Sequence, residues 1–571
     1  MDGQDQPSRT PCDCQPHESD VYDVVIVGAG PCGLAVAARL HESTPAAIFT
    51  DEEHRRFHWI QRHGRKMTLK NCKNGRVSLA ATRYQRPEYK MAVLDANHNE
   101  WMGRWNRLFT AYQIPHLRSH MLWHVDPHDR DSLLAQAVRQ GREAELTELK
   151  GCVGKEISKH AKKKKARYIG SKQEAHVDIN ERDRKDYFNP SQALFCDHSN
   201  DVVDRYNLRD GLIFKECLRD IDYGVVNGIS EEGDSLFTVT TDKGRLHARA
   251  VVLAVGPAND AQIPHVPGMT RVSTKTTDGQ QRCAFPQACH SMHISTFPDA
   301  VVRERMAAGQ QTNILVVGGG LTSAQLADLA IRRGVSRVWH IMRGPLRVKH
   351  FDVDLAWMGK FRNTEQARFW LADSDEERLA MLREARGGGS ITPLFYKRVK
   401  QHVASGRLVL REKTVLAEAR FDAKARQGSK GGGAWVVKAE PPLEGLPAMD
   451  YIYFATGIQT DFKALGYLQT MMERHPIEGF GGFPCLNDDL MWNDGVPLFF
   501  AGRLAALRLG PAAPNLGGAR LGAERIAWAL ENTIAKSRGV DENLSLHGED
   551  GDKVIGYCAG RGSKYSSLSE E

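Results

Sequence analysis

Two runs of apolar, largely β-branched residues, Val24–Val27 and Ile314–Val317, each break into glycine and then into a stretch whose apolar residues recur at helical spacing. The first passes through Gly28-Ala29-Gly30-Pro31-Cys32-Gly33 into a helical run from Leu34 to Leu40. The second passes through Gly318-Gly319-Gly320-Leu321-Thr322-Ser323 into one from Ala324 to Ile331. A buried strand that turns on glycine into a helix lets the backbone approach a pyrophosphate and aims the helix N-terminus at its negative charge. Two such turns predict two bound dinucleotides. The simplest reading is a flavoprotein that takes hydride from a nicotinamide.

Beyond the first helical run the pattern predicts a second strand over Ala46–Thr50, ending in Asp51. An acid at that strand end accepts hydrogen bonds from a ribose and turns away a 2′-phosphate. Gly28, Gly30, Gly33 and Asp51 are therefore the expected dinucleotide-binding set, suited to FAD or NAD, with FAD the expectation for a flavoprotein. Residues 100–220 read as an insertion with a charged, aperiodic middle over 150–190. Strands are expected over Leu236–Thr240 and Ala250–Val255, followed by a proline-rich linker at 263–268. The second unit runs from about 310 to 440, and strand-to-turn signals return at 451–457 and 497–502.

The expected fold is α/β, with two Rossmann-like dinucleotide-binding domains in a layered arrangement, the FAD domain interrupted by an NADPH domain. The boundaries are 20–268 and 445–535 for the FAD domain and 310–440 for the NADPH domain, with polar tails at 1–19 and 540–571.

In the second turn Ser323 replaces the third glycine, and the next strand, Val338–Met342, ends in Arg343, with Arg347, Lys349 and His350 close behind. A cation at that strand end pairs with a 2′-phosphate. Gly318, Gly320, Ser323 and Arg343 are thus expected to bind NADPH in preference to NADH.

Composition narrows the partners. The 571 residues are 41% hydrophobic, as in a folded globular chain, and the net charge is +7. Much of that excess lies in the run Lys162–Lys165, which has no interleaved aromatic residues to stack on bases, so no nucleic acid is expected. Eleven cysteines show no framework spacing, which suits a reducing compartment. Residues 1–19 are polar and acidic, unlike a secretory signal, and no stretch reaches the roughly twenty apolar residues of a membrane span. The expectation is a cytoplasmic protein of undetermined oligomeric state. Nothing in the motifs points to a metal site or a hydrolase: HExxH, paired Cys/His ligands and GxSxG are all missing.

The segment Asp450-Tyr451-Ile452-Tyr453-Phe454-Ala455-Thr456-Gly457 resembles the D-x3-(L/F)-ATG signature of the N-hydroxylating flavin monooxygenases, the ornithine and lysine hydroxylases of siderophore pathways. The order of flavin turn, inserted NADPH unit, ATG strand and C-terminal flavin contacts is similar to class B flavin monooxygenases from residue 20 to about 535. The resemblance implies FAD reduced by NADPH, a flavin C4a-hydroperoxide formed with O2, and transfer of one oxygen to a small-molecule substrate, usually at an amine nitrogen. It also places Thr456 and Gly457 at cofactor, Gly502 at the flavin ribityl or phosphate, and Asn515, Leu516 and Gly518 near the isoalloxazine. Ile458 stands where that signature continues with Tyr, and Arg503 stands where many relatives carry Asp. Of the F-x-G-x3-H-x3-(Y/W) pattern of the other branches, only His293 with Phe297-Pro298 is met.

The run from Trp101 to Trp105, with Leu117-Arg118-Ser119-His120 and Trp123-His124, is the candidate wall on the flavin side, excluding water from the ring. Arg118 and His124 are its candidate catalytic residues, set against the plainer reading of a core tryptophan and a satisfied loop histidine. Two other functions compete. A thiol–disulfide reductase needs a redox pair, but Cys32 has no near partner in sequence and the Cys283/Cys289 spacing does not supply one. A flavin-binding regulatory protein with lost or incidental oxidase activity is favoured by the altered residues after the ATG and by the charged insertion.

Overall fold

In the computed structural model, the described residues are 21–43, 45–49, 55, 59, 68–70, 77–79, 88–149, 152, 187–209, 211–230, 234–261, 263–275, 281–358, 362–425 and 433–537. The strands that build the first sheet are β1 (Val21–Val27), β2 (Met91–Asp95), β3 (Ile213–Lys215), β4 (Leu218–Gly224), β5 (Leu236–Thr241) and β6 (Arg245–Leu253). Those of the second are β7 (Ala288–His290), β8 (Asn313–Val317), β9 (Arg337–Ile341), β10 (Leu408–Arg411) and β11 (Tyr451–Phe454). The chain then returns to the first sheet with β12 (Met491–Asn493) and β13 (Val496–Phe500).

Spatially the first sheet runs β12-β13-β6-β1-β2-β3. Pairings from β13 to β3 are all parallel, while β5 and β4 extend it from β6 as antiparallel strands. The second sheet runs β7-β11-β8-β9-β10 and is parallel throughout. Parallel strands need crossovers, and their covered faces call for near-continuous apolar runs. In β1 every residue after Val21 is buried, including Asp23.

Helix α1 (Pro31–His41) starts on Gly30 with Pro31 at the first helical position, where the missing N–H costs nothing. Every residue from Gly33 to Leu40 is buried, because α1 lies between the sheet and the long helix α2 (Leu516–Ser537). Arg39 and Glu524 pair across that contact at 2.6 Å, both nearly closed to solvent. Trp528 Nε1 donates to the same carboxylate at 2.9 Å.

Two elements differ from the sequence-based expectation. Residues 46–49 form a turn in place of a strand: Ala46 and Ala47 both donate to the Pro127 carbonyl, and Phe49 donates back to Ala46. The place beside β1 belongs to β2, in the register Val24↔Met91 to Val27↔Leu94. Asp51 lies outside the described residues, as do most of the charged stretch (153–186) and both tails. The second difference is the ATG strand. It sits between β7 and β8 in the second sheet, with Ile314 opposite Tyr451, so it belongs with the second glycine-turn unit and not with the returning segment 445–535. The second sheet likewise begins at Ala288, ahead of 310.

Asp450 enters β11 fully buried. One carboxylate oxygen meets the Arg305 guanidinium, and the other accepts from Asn313 N at 2.7 Å, so the signature acid joins the helix Ala300–Ala307 to β8. Removing one member leaves an unpaired charge in a closed core. Arg305→Ala or Asp450→Ala is expected to lower unfolding free energy by about 3–5 kcal/mol, measured by urea titration. An Arg305→Met/Asp450→Leu double variant should recover much of that loss.

Candidate functional site

The two glycine turns are built alike. Gly28 has φ +113° and Gly318 has φ +147°, values that only glycine adopts readily. A Cβ on Gly28 would lie 2.5 Å from the Ala254 carbonyl oxygen, and one on Gly318 would lie 2.3 Å from that of Ala455. Ala254 follows β6 and Ala455 follows β11, the strands at corresponding positions beside β1 and β8. The backbone bonds repeat too. Ala254 donates to Val27 at 2.8 Å and Ala455 to Val317 at 2.8 Å, while Gly28 donates to Leu94 and Gly318 to Ile341.

The third position separates the turns. A Cβ on Gly33 would fall 1.9 Å from the Gly28 carbonyl oxygen, so α1 passes directly over its own turn. In the second unit the helix α3 (Leu321–Arg332) leaves room for Ser323, whose hydroxyl donates to Gly320 O at 2.7 Å. Gly30 and Gly320 are different again. A Cβ on either meets no atom within 4 Å, so at each turn the side-chain direction is open in front of a helix N-terminus.

The acid at the end of the strand beside β1 is Asp95, which sequence reasoning did not single out. Its carboxylate accepts from Ala29 N inside the first turn at 3.2 Å, and from Asn97 N and His98 N. The apolar run Met91–Leu94 ending in an acid was a readable signal. His340 was not foreseeable: its Nε2 donates at 2.7 Å to the carbonyl of Gly318, bracing the second turn from β9.

Other expected residues gather around these turns. Gly502, at φ +76°, lies so close to α1 that a Cβ there would sit 2.8 Å from Cys32 Sγ. Burial pushes the Cys32 thiol up to about 12, keeping it protonated. Asn515 accepts from Arg386 at 3.1 Å and donates to Asp352 at 3.3 Å. Leu516 is buried, and Gly518 packs where a Cβ would strike the backbone of Ala512 and Ala513. Thr456 and Gly457 are exposed after β11, with the Gly457 carbonyl accepting from His290 Nε2 at 3.1 Å. Arg503 Nη1 reaches the Ile458 carbonyl at 3.1 Å, linking the turn after β13 to the turn after β11. Arg343 is exposed after β9.

A glycine strap, Gly387–Gly389, lies on the second turn: a Cβ on Gly389 would be 3.1 Å from Gly320 N. A cavity of about 240 Å³ opens on the same loop system, lined by residues that include Lys349, Phe351, Asp354 and Pro393.

Arg118 and His124 are placed as fasteners. Arg118 donates to the carbonyls of Lys349, His350, Phe351 and Ser390 and to Ser390 Oγ, and it pairs with Asp352. It therefore staples the first unit to the loop after β9. His124 is fully buried. Its Nδ1 accepts from Asp126 N at 3.2 Å and its Nε2 lies 2.8 Å from the Arg130 carbonyl, so neither nitrogen is left for a substrate. Burial and the nearby Arg520 charge hold its pKa well below the usual range.

The chain matches no protein-family model and no curated protein. Its fold is that of two-dinucleotide flavin monooxygenases. It is similar to an ornithine N-hydroxylase of Kutzneria sp. 744 solved with reduced FAD, NADP+ and L-ornithine, at 15% identity and a TM-score of 0.56, covering 90% of this chain and 100% of that one. It is also similar to L-lysine 6-monooxygenase of Pseudomonas syringae (15%, TM-score 0.52, 90% and 100%) and to ornithine hydroxylase of Pseudomonas aeruginosa (15%, TM-score 0.51, 90% and 100%). Among the described residues no helix is long and apolar enough to cross a membrane.

The buried imidazoles make the fold sensitive to acid. Burial pulls His120 down to about 3 and His198 and His340 down to about 4, so all three are neutral when folded. In the unfolded chain they protonate near pH 6.5. The unfolded state then binds more protons, so their contribution is complete above that pH and declines as pH falls towards about 4. Thermal midpoints should drop steadily between about pH 6.5 and 5, with unfolding taking up protons, as calorimetry in buffers of different ionisation enthalpy would show.

Proposed function

We propose that this chain is a monooxygenase that binds FAD at the first glycine turn and NADPH at the second, and transfers one oxygen atom of O2 to a small-molecule nucleophile. The observation that carries this reading is the doubled turn. Each pairs an open glycine, Gly30 or Gly320, with a helix N-terminus, and each is backed by a glycine pressed on its neighbouring strand. That cradle fits a pyrophosphate. FAD, once reduced by NADPH, supplies the oxygen chemistry; the protein supplies placement and exclusion of water.

In this reading Gly28, Gly30, Gly33 and Asp95 hold the adenosine diphosphate end of FAD. Gly502, Asn515, Leu516 and Gly518 approach its far end, where the N-terminus of α2 favours negative charge. Gly318, Gly320 and Ser323 hold NADPH, and the exposed Arg343 and Arg347 meet the 2′-phosphate. Arg118 and His124 position loops and move no proton to substrate, because their polar atoms are already engaged. An amine nitrogen is the acceptor we assign, supported by the fold shared with three amine hydroxylases and by the ATG signature.

The experiment is to purify the protein, record its flavin spectrum, and follow NADPH-dependent oxygen uptake and hydroxylated product with candidate amines. A colourless protein that does not take up FAD would overturn the proposal. Gly30→Val should keep its thermal midpoint within a few degrees yet lose flavin, because a Cβ there has no protein atom within 4 Å and the side chain grows into the space assigned to the dinucleotide. Gly320→Val should retain flavin and lose NADPH-driven reduction. Arg343→Ala should raise KM for NADPH about tenfold and leave that for NADH unchanged, the loss of one charge-assisted contact.

A further inference from the structure

His120 lies at the seam between the two units, 5% exposed. Its ring is 4.7 Å from that of Trp123, 6.3 Å from Tyr187 and 5.7 Å from Phe351, the last edge-on. Trp123 rests on the first turn of α2, so closely that a Cβ on Gly517 would be 2.6 Å from the indole. Phe351 comes from the other side, in the loop after β9 that Arg118 clamps. Leu122 N donates to His120 Nδ1 at 3.3 Å, which makes Nε2 the nitrogen that carries the hydrogen. That Nε2–H has no acceptor among the described residues.

A buried donor without an acceptor is costly, and native folds rarely keep one without a reason. Trp105, Gln136 and Trp339 also carry buried side-chain nitrogens without partners among the described residues. Trp105 is packed by Phe109 and Phe195 of the first unit, and Trp339 lies in the core of the second. His120 differs because aromatic residues of both units surround it, beside the start of a 22-residue helix. Hydride passing from one dinucleotide to the other requires the flavin ring at this seam.

Resting on the assignment of FAD to the first turn, we propose that His120 donates a hydrogen bond from Nε2 to a carbonyl oxygen or ring nitrogen of the isoalloxazine. Burial and the charges of Arg362 and Arg520 keep the imidazole neutral, so it serves as a fixed donor and does not shuttle a proton. Trp123 and Phe351 hold its plane, and the ligand supplies the missing acceptor.

The test compares FAD-loaded wild type with His120→Phe and His120→Gln. Phe keeps the flat ring and removes the donor; Gln places an amide donor at similar reach. His120→Phe should release FAD about tenfold faster on dilution, read from flavin fluorescence, and should shift the visible flavin bands. His120→Gln should stay within about twofold of wild type. With FAD removed, the Phe variant should melt no lower than wild type, since it no longer buries an orphan donor. If His120→Phe fails to fold, His120→Asn carries the same test, keeping an acceptor for Leu122 without the reach. Unchanged FAD release and spectrum in the folded variant would overturn the proposal even if turnover fell. A wild type that holds no FAD would instead bring down the function on which it rests.

Discussion

The close approach of backbone to backbone at Gly28 and Gly318 governs the rest of the molecule. In each unit the strand leaves the sheet by pressing its first glycine on the carbonyl of an alanine one strand over, at a distance that no side chain allows. That contact sets where the following helix begins, and so where its unpaired N–H groups point. The two turns share φ sign, neighbouring strand and hydrogen-bond pattern although the segments between them differ. The repetition is physical: a parallel sheet that turns tightly into a helix has one economical way to do so. Where the pattern loosens, at Ser323, a hydroxyl bonded to Gly320 takes up the added space.

Two units of this kind would still be independent without something to fix their separation. The structure supplies three ties from unlike elements. Arg118 spreads its donors over four carbonyls, a serine hydroxyl and Asp352 on the loop after β9. Arg503 bonds the carbonyl of Ile458 after the ATG turn. Arg386 reaches Pro511 O and Asn515 in the loop that leads into α2. A planar guanidinium with several donors in fixed directions suits this task, because one side chain can satisfy several carbonyls that would otherwise face each other at a seam. The arginine at 503 thereby gains a mechanical explanation.

Sequence reasoning reached what is periodic and local. Strand, glycine and helix are adjacent in the chain, so both turns were visible, as were β5, β6 and β9. It failed where neighbours in space are distant in sequence. Ala46–Phe49 is as apolar as a strand, yet its amides are satisfied by Pro127, and the partner of β1 arrives some forty residues later as Met91–Asp95. The ATG segment was correctly read as strand and turn, but periodicity says nothing about which sheet a strand joins; its register on Ile314 to Val317 decides that. Arg118 and His124 stood in a suggestive run of aromatic and basic residues. Only their partners reveal that they hold loops together.

Buried polar groups sort the remaining functional surface from the scaffold. Asp450, Arg39, Glu524 and His124 are deep in the fold and have partners that match their chemistry, which marks them as structural. His340 uses one nitrogen to brace the second glycine turn and leaves the other without a partner among the described residues, as expected of a group whose single useful bond is to the Gly318 carbonyl. His120 has the inverse arrangement. Its acceptor is satisfied locally and its donor is the atom left over, on a wall assembled from both units. A leftover acceptor can be tolerated as one unused lone pair, whereas a leftover N–H in an aromatic enclosure loses its whole hydration without compensation. That asymmetry is why the seam, and not the better-satisfied network around His124, is the place proposed for a ligand contact.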